Sequence, residues 1–185
     1  RISIDRLAGI IFGIADYSAD IGLPEVRNDH PVCDWARAAI INSAGAAGVP
    51  AIDNMTVNYP VPDRNLSQEE NRARILARLR ECFDDTVHGL RLGMDGKWVG
   101  HPAQVFVALL AFRTYLDESE LRAEAEKIEE YSRAVARERG ATIISGVMTD
   151  RALDRHTRAK LRKAVATGRF DVERALRLGV ITEAE

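Results

Sequence analysis

Long apolar runs are missing from this sequence. No stretch is continuous enough to cross a bilayer, and the N-terminal residues lack the basic, apolar, small-residue order of a secretory signal. Cysteine is scarce. Cys33 and Cys82 stand in no metal-ligand spacing, and so few thiols in 185 residues point to a reducing compartment, with the cytoplasm as the expected location. Charge of one sign is lacking too, since 26 Lys and Arg face 28 Asp and Glu for a net charge of −2, with both signs mixed along the chain. That balance excludes nucleic acid as a principal partner and leaves no polybasic patch for a membrane surface. Internal repeats and low-complexity tracts are absent, and nothing in the composition suggests disorder. An initiating Met is also absent. Arg1-Ile-Ser-Ile-Asp-Arg runs within a few residues into a strand-like stretch, which reads as the C-terminal part of a longer protein.

What is present is organised around Leu7-Ala-Gly-Ile-Ile-Phe12, a run expected to form a strand buried on both faces, with Asp16 following where the chain must turn. In parallel α/β folds the carboxyl ends of the strands carry the ligands. From the residues alone, Asp16 is either a site carboxylate or the cap of the element that follows. A loop over 23–31 leads to a helix of small and apolar residues from Asp34 to Ala47, closed by Gly48. Val49-Pro-Ala-Ile-Asp53 is the second strand and again ends on a carboxylate. The segment Asn54 to Arg64, with Pro60 and Pro62, is a loop. Ser67 and Glu70 have capping-box spacing, and Ile75, Leu76, Leu79, Phe83, Val87 and Leu90 make the apolar stripe of a helix that runs to Leu92. Met94 to Val99 is the third strand. Strand, helix, strand, helix, strand is the order of a parallel sheet with crossover helices.

Helices take over after His101-Pro-Ala-Gln104. Val105 to Phe112 is apolar, Leu121, Ala125, Ile128, Ser132 and Val135 share one face, and Gly140 ends that helix. Ala141 to Asp150 is a short extended or turn-like piece. Two helices, Leu153 to Thr167 and Asp171 to Leu178, complete a tail whose thin apolar face suggests an appendage packed on a neighbour.

Four motifs are specific when taken in order: Phe12-Gly-Ile-Ala-Asp16-Tyr with Gly22, Ala47-Gly-Val-Pro-Ala-Ile-Asp53, Gly93-Met-Asp-Gly-Lys97-Trp-Val-Gly-His101-Pro-Ala-Gln104, and Ser145-Gly-Val-Met-Thr-Asp150. Together they resemble the C-terminal half of the citrate lyase β-subunit-like family, which includes malyl-CoA, β-methylmalyl-CoA and citramalyl-CoA lyases. The resemblance covers roughly residues 7 to 155. It implies an α/β fold in which residues 1–115 are the last three units of a (β/α)8 TIM barrel and residues 116–185 a helical extension that contacts a neighbouring subunit of a homo-oligomer. It implies Mg2+ on Asp16, with a second metal ligand, a Glu, and a substrate-binding Arg upstream of Arg1. It further implies that Asp150 is a catalytic acid/base acting across a subunit interface, that Lys97, Trp98, His101 and Gln104 lie near the CoA-binding mouth, and that Ala15 and Asp53 face the substrate. The implied activity is cleavage of a 3-hydroxy-dicarboxylyl-CoA into an acyl-CoA and a 2-oxo acid such as glyoxylate or pyruvate.

The residues by themselves leave other readings open. Asp53 also suits a loop anchor, His101 before Pro a backbone-bonded structural residue, and Lys97 a packing support. A CoA-independent class II aldolase uses the same metal logic, a thioesterase acts on the same esters, and a non-catalytic helical interaction fragment needs no metal at all. Three departures from the family pattern stand out. Gly100 occupies a position where the family carries a branched apolar residue, Thr149 replaces an apolar neighbour of Asp150, and the segment between Asp53 and Gly93 is longer than usual, with Asn54 to Asp63 of distinct composition.

Overall fold

Parallel neighbours cannot be joined by a tight turn, so each pair of consecutive strands must enclose a helical crossover. The computed structural model, which describes residues 6–183, has that arrangement in the first of two units, Arg1–Tyr115 and Leu116–Glu185. Strands β1 (Ile10–Ile11), β2 (Ala51–Asp53) and β3 (Gly96–Lys97) form a parallel sheet in the order β1-β2-β3, with Ile10 opposite Ala51 and Asp53 opposite Lys97. The helices of this unit are α1 (Ile14–Asp20), α2 (Pro31–Ala47), α3 (Gln68–Leu92) and α4 (Pro102–Thr114).

Local chemistry explains the boundaries. Helix α2 starts three residues before the expected Asp34, because Pro31 fits the first helical position and the His30 side chain accepts the Val32 N–H as a cap. Gly48 closes it in the left-handed conformation at φ 69°, which a side chain would oppose. Helix α3 begins at the capping box read from the sequence, with Ser67 accepting from Glu70 N–H and Glu70 from Ser67 N–H. Strand β1 is shorter than expected and is not buried on both faces. It pairs with β2 alone among the described residues, and Ile11 is 59% exposed, whereas Phe12 beyond it is buried. The chain after β1 forms helix α1 at once rather than a simple turn. The core of this unit gathers Phe12, Ile14, Cys33, Ala36, Ala44, Ala51 and Met94 between the sheet and α2.

The second unit holds α5 (Glu118–Val135), an antiparallel hairpin of β4 (Ala141–Ile144) and β5 (Val147–Asp150), then α6 (Arg151–Ala166) and α7 (Val172–Arg177). The hairpin resolves what the sequence left as extended or turn-like. Its two-residue turn places Ser145 at φ 50° and Gly146 at φ 78°, the primed geometry that matches strand twist. The tail is more than an appendage. Leu121, Ala125 and Ile128 of α5 meet Leu161 and Ala164 of α6, Ala175 of α7 and Val180 in a core of their own. No helix among the described residues is long and apolar enough to cross a membrane.

Candidate active site

The strand exits of the first unit converge on one guanidinium. Arg37 sits in the second turn of α2, between Ala36 and Ala38 in sequence, with its side chain fully buried. Its Nε donates to Asp53 Oδ1 at 2.8 Å, Nη1 to Asn28 O at 2.7 Å and to Asp34 Oδ1 at 2.9 Å, and Nη2 to Asn54 Oδ1 at 2.5 Å and to Asn28 Oδ1. The Phe12 ring lies 5.2 Å beneath it. Lys97 Nζ donates to the other Asp53 oxygen at 3.1 Å, and His88 Nε2 meets Asp34 Oδ1 at 2.8 Å. One buried cation thus joins the end of β1, the loop before α2 and the end of β2, and through Asp53 it reaches β3. A buried carboxylate with a cation on each oxygen is held far more rigidly than an exposed one. Arg37 was not singled out in the sequence. Its signal was there, as the only charge in the run from Ala36 to Ala47.

The residues named from the sequence fall into two groups. Asp16 and Ala15 lie exposed in the first turn of α1, just past the end of β1, and Trp98 is exposed just past β3. Asp53, Lys97 and Gln104 are buried. His101 caps α4: its Nδ1 accepts the Ala103 N–H, while Gln104 Oε1 accepts the N–H groups of Gly100 and His101 in a capping box. Gln104 Nε2 donates to Thr56 O, so every polar atom of that side chain is engaged. Asp150, in the second unit, is the N-cap of α6, its Oδ1 accepting from Ala152 N–H at 2.9 Å and Leu153 N–H at 3.0 Å.

A further carboxylate, Asp85, stands near the network. Thr56 Oγ1 donates to Asp85 Oδ2 at 2.7 Å. Burial pushes the Asp85 carboxyl above the usual aspartate range, against the opposing pull of the Thr56 hydroxyl and the Lys97 charge. A group whose folded pKa is raised favours folding below its unfolded pKa, and that contribution is lost as pH rises through the folded value. Asp85→Asn should therefore raise Tm at neutral pH and leave it unchanged at pH values below the ordinary aspartate pKa. Equal shifts at both pH values in a thermal scan would contradict the burial cause.

Among the described residues no cluster of three or more His, Cys, Asp or Glu side chains could enclose a metal ion. Asp16 is an exposed carboxylate just past a strand end, an oxygen donor of the kind a hard cation takes. Gly13 keeps its approach open, since a Cβ there would lie 3.2 Å from Asp16 Oδ2.

The family model described as "Domain of unknown function (DUF6986)" matches residues 1–185. The chain is 30% identical over 148 residues to the L-malyl-CoA/beta-methylmalyl-CoA lyase of Haloarcula marismortui, which covers 80% of this chain and 40% of that protein. Among solved structures, it is similar to a citrate lyase from Burkholderia xenovorans, with TM-score 0.64 and 23% identity over 93% of this chain and 50% of the other. It is also similar to protein CitE from Mycobacterium tuberculosis in complex with magnesium, acetoacetate and coenzyme A, with TM-score 0.53 and 23% identity over 85% of this chain and 52% of the other. The kinship with the citrate lyase β-subunit-like group read from the four motifs is borne out, as is an α/β fold of that type. The chain spans about two fifths of the length of the curated relative it matches.

Proposed function

The chain belongs to the DUF6986 family, and we propose that it supplies the C-terminal half of a Mg2+-dependent carbon–carbon lyase acting on a 3-hydroxy-dicarboxylyl-CoA such as malyl-CoA, β-methylmalyl-CoA or citramalyl-CoA. The observation that carries this reading is the match to the malyl-CoA lyase over most of the chain, with Asp16 exposed at the exit of β1. The three parallel strands are then the last three of a (β/α)8 barrel, closed by earlier strands of the whole protein, and the helical unit contacts a neighbouring copy in a homo-oligomer. The two cysteines, both buried and free, support a reducing compartment such as the cytoplasm.

Asp16 would hold Mg2+ together with ligands from the preceding part of the protein. A hard cation held there would supply Lewis-acid stabilisation of the negative charge that develops on the substrate's hydroxyl oxygen. The remaining steps fall to the chain. A base takes the hydroxyl proton, the bond between the α and β carbons breaks, its electron pair passes to the acyl-CoA as an enolate, and the β carbon leaves as the carbonyl of a 2-oxo acid. An acid then protonates the enolate. Asp150 performs one of these transfers, for a neighbouring copy. Its Oδ1 is fixed by two amide donors, which leaves Oδ2 with no hydrogen-bond partner among the described residues. Trp98 lies along the CoA-binding mouth, and Ala15 lets the substrate approach Asp16 without a bulky side chain in the way. Asp53, Lys97, His101 and Gln104 shape that mouth from behind.

The test is product analysis on the full protein with malyl-CoA and Mg2+. Glyoxylate released together with acetyl-CoA supports the lyase. Free CoA with intact malate would assign a thioesterase, and turnover of a free hydroxy acid with no CoA binding a class II aldolase. Absence of any metal effect on ligand binding or Tm would favour a non-catalytic fragment. Asp150→Asn separates capping from catalysis, because Asn caps a helix as well as Asp but cannot exchange the proton. The variant should keep its Tm and Mg2+ affinity while kcat falls by ~100-fold or more. A loss of Mg2+ affinity would instead make Asp150 a metal ligand.

A further inference from the structure

Helix α1 carries Asp16 and has little of its own to hold it in place. Seven residues are too few for a helix to be stable by itself. Gly13 at its N-cap offers no side-chain acceptor, and its last turn has no basic residue. The helix also borders two cavities. Ile14 lines one of about 50 Å3 with Asn28 and Asn54, while Asp16, Tyr17 and Asp20 line another of about 600 Å3 with Ile11 and Trp35. Burial of Ile14 and Ser18 settles which side of α1 turns inward, but with open space beside the helix its tilt is left to other contacts.

Those contacts lead to Arg37 from both ends of the helix. At its start, the Phe12 ring meets the Arg37 guanidinium at 5.2 Å and the Tyr17 ring edge-on at 5.6 Å. Phe12 N–H donates to Ile52 O at 2.9 Å, which ties the same residue to β2. Beyond the other end of α1, the loop that follows is gripped at Asn28, whose backbone and side-chain oxygens both accept from Arg37. Asp16 lies between these two attachments and next to Tyr17, so a shift at either one turns its carboxylate. An apolar side chain of similar volume in place of a buried ion is often no less stable, and what a guanidinium adds is five donors in a fixed plane that engage several partners at once.

We propose that Arg37 is a positioning residue of the site: by holding the start of α1 through Phe12 and the chain beyond it through Asn28, it sets where Asp16 presents its carboxylate to a cation. The inference rests on the lyase reading above and adds to it the residue that governs the metal ligand without touching metal or substrate. Loss of a group that orients a metal ligand typically lowers metal affinity or activity by roughly 10- to 100-fold.

The experiment titrates Mg2+ into the full protein by calorimetry, with kcat for malyl-CoA as a second readout. Arg37→Lys keeps a charge for Asp53, but one ammonium cannot reach Asn28, Asn54 and the Phe12 face together, so Mg2+ affinity should fall ~10-fold or more and kcat with it. Phe12→Leu leaves the hydrogen bonds of Arg37 in place and removes only the ring contacts, and it should weaken Mg2+ in the same way. It also keeps the test alive if Arg37→Lys does not fold. Asn71→Ala is the control for lost stability alone. It removes hydrogen bonds to Asp63 and Leu66 in the segment leading into α3, and should lower Tm while Mg2+ affinity stays at the wild-type value. Wild-type Mg2+ affinity in Phe12→Leu, or an equal loss in Asn71→Ala, overturns the inference while the lyase reading stands. A wild-type protein that binds no Mg2+ and leaves malyl-CoA intact overturns the lyase reading and this inference with it.

Discussion

Replacing Arg37 with alanine is expected to destabilise the protein by about 3 to 5 kcal/mol, the range for removing one partner from a buried charge pair. The reason is what remains behind. Asp53, 1% exposed, would keep only Lys97, while the oxygens of Asn28, Asn54 and Asp34 would lose their shared donor. Asp34 would keep His88, but each acceptor left without a donor adds a desolvation cost beyond the lost attraction, and the truncated side chain leaves a cavity beside the Phe12 ring. The measurement is the urea midpoint of the full protein, with Asp53→Asn as the second arm of a double-mutant cycle. Because Asn removes the charge that Arg37 compensates, the double variant should lose less than the sum of the singles. Strict additivity, or a loss under about 1 kcal/mol for Arg37→Ala, would mean that the network contributes no more than a surface pair does.

Asp16→Asn is expected to have the opposite profile, with little effect on folding and a large one on activity. The side chain is exposed and has the volume of its replacement. The folded protein loses only the favourable placement of a negative charge in the first turn of α1, worth about 0.3 to 1 kcal/mol. Turnover of malyl-CoA should fall on the order of 10³-fold, because a cation that stabilises developing alkoxide charge contributes several kcal/mol to the barrier. Binding supplies an independent readout, since the rise in Tm on adding Mg2+ to wild-type protein should vanish in the variant. Unchanged turnover would remove Asp16 from the metal site. Lost turnover with an intact Mg2+ response would move it from metal binding to substrate binding.

The two variants separate the roles that carboxylates play at strand ends. Asp16 and Asp53 both follow apolar runs, and in sequence they look alike. In the fold Asp53 is enclosed by Arg37 and Lys97, whereas Asp16 is open. Burial with paired cations makes one a fixture that sets geometry, and exposure makes the other available to a ligand.

The sequence by itself determined what local rules govern. Helix α3 was legible from the spacing of Ser67 and Glu70 and from its apolar stripe, because caps and helical periodicity act within a few residues. The parallel order of β1, β2 and β3 followed from the alternation of strands and helices, and the kinship followed from four motifs in series. Only the tertiary structure decided the buried network. Arg37 and Asp53 lie 16 residues apart and Lys97 and Asp53 lie 44 apart, and no local signal announces which charges will meet once the chain is packed. The same holds for Gln104, which reaches Thr56 across 48 residues, and for Gly100. In sequence Gly100 is merely a departure from a family pattern, and in the fold it is the space that Tyr59 and Met55 occupy. A residue's environment is set by atoms distant along the chain, and it is the environment that makes one strand-end carboxylate a strut and leaves another free to bind.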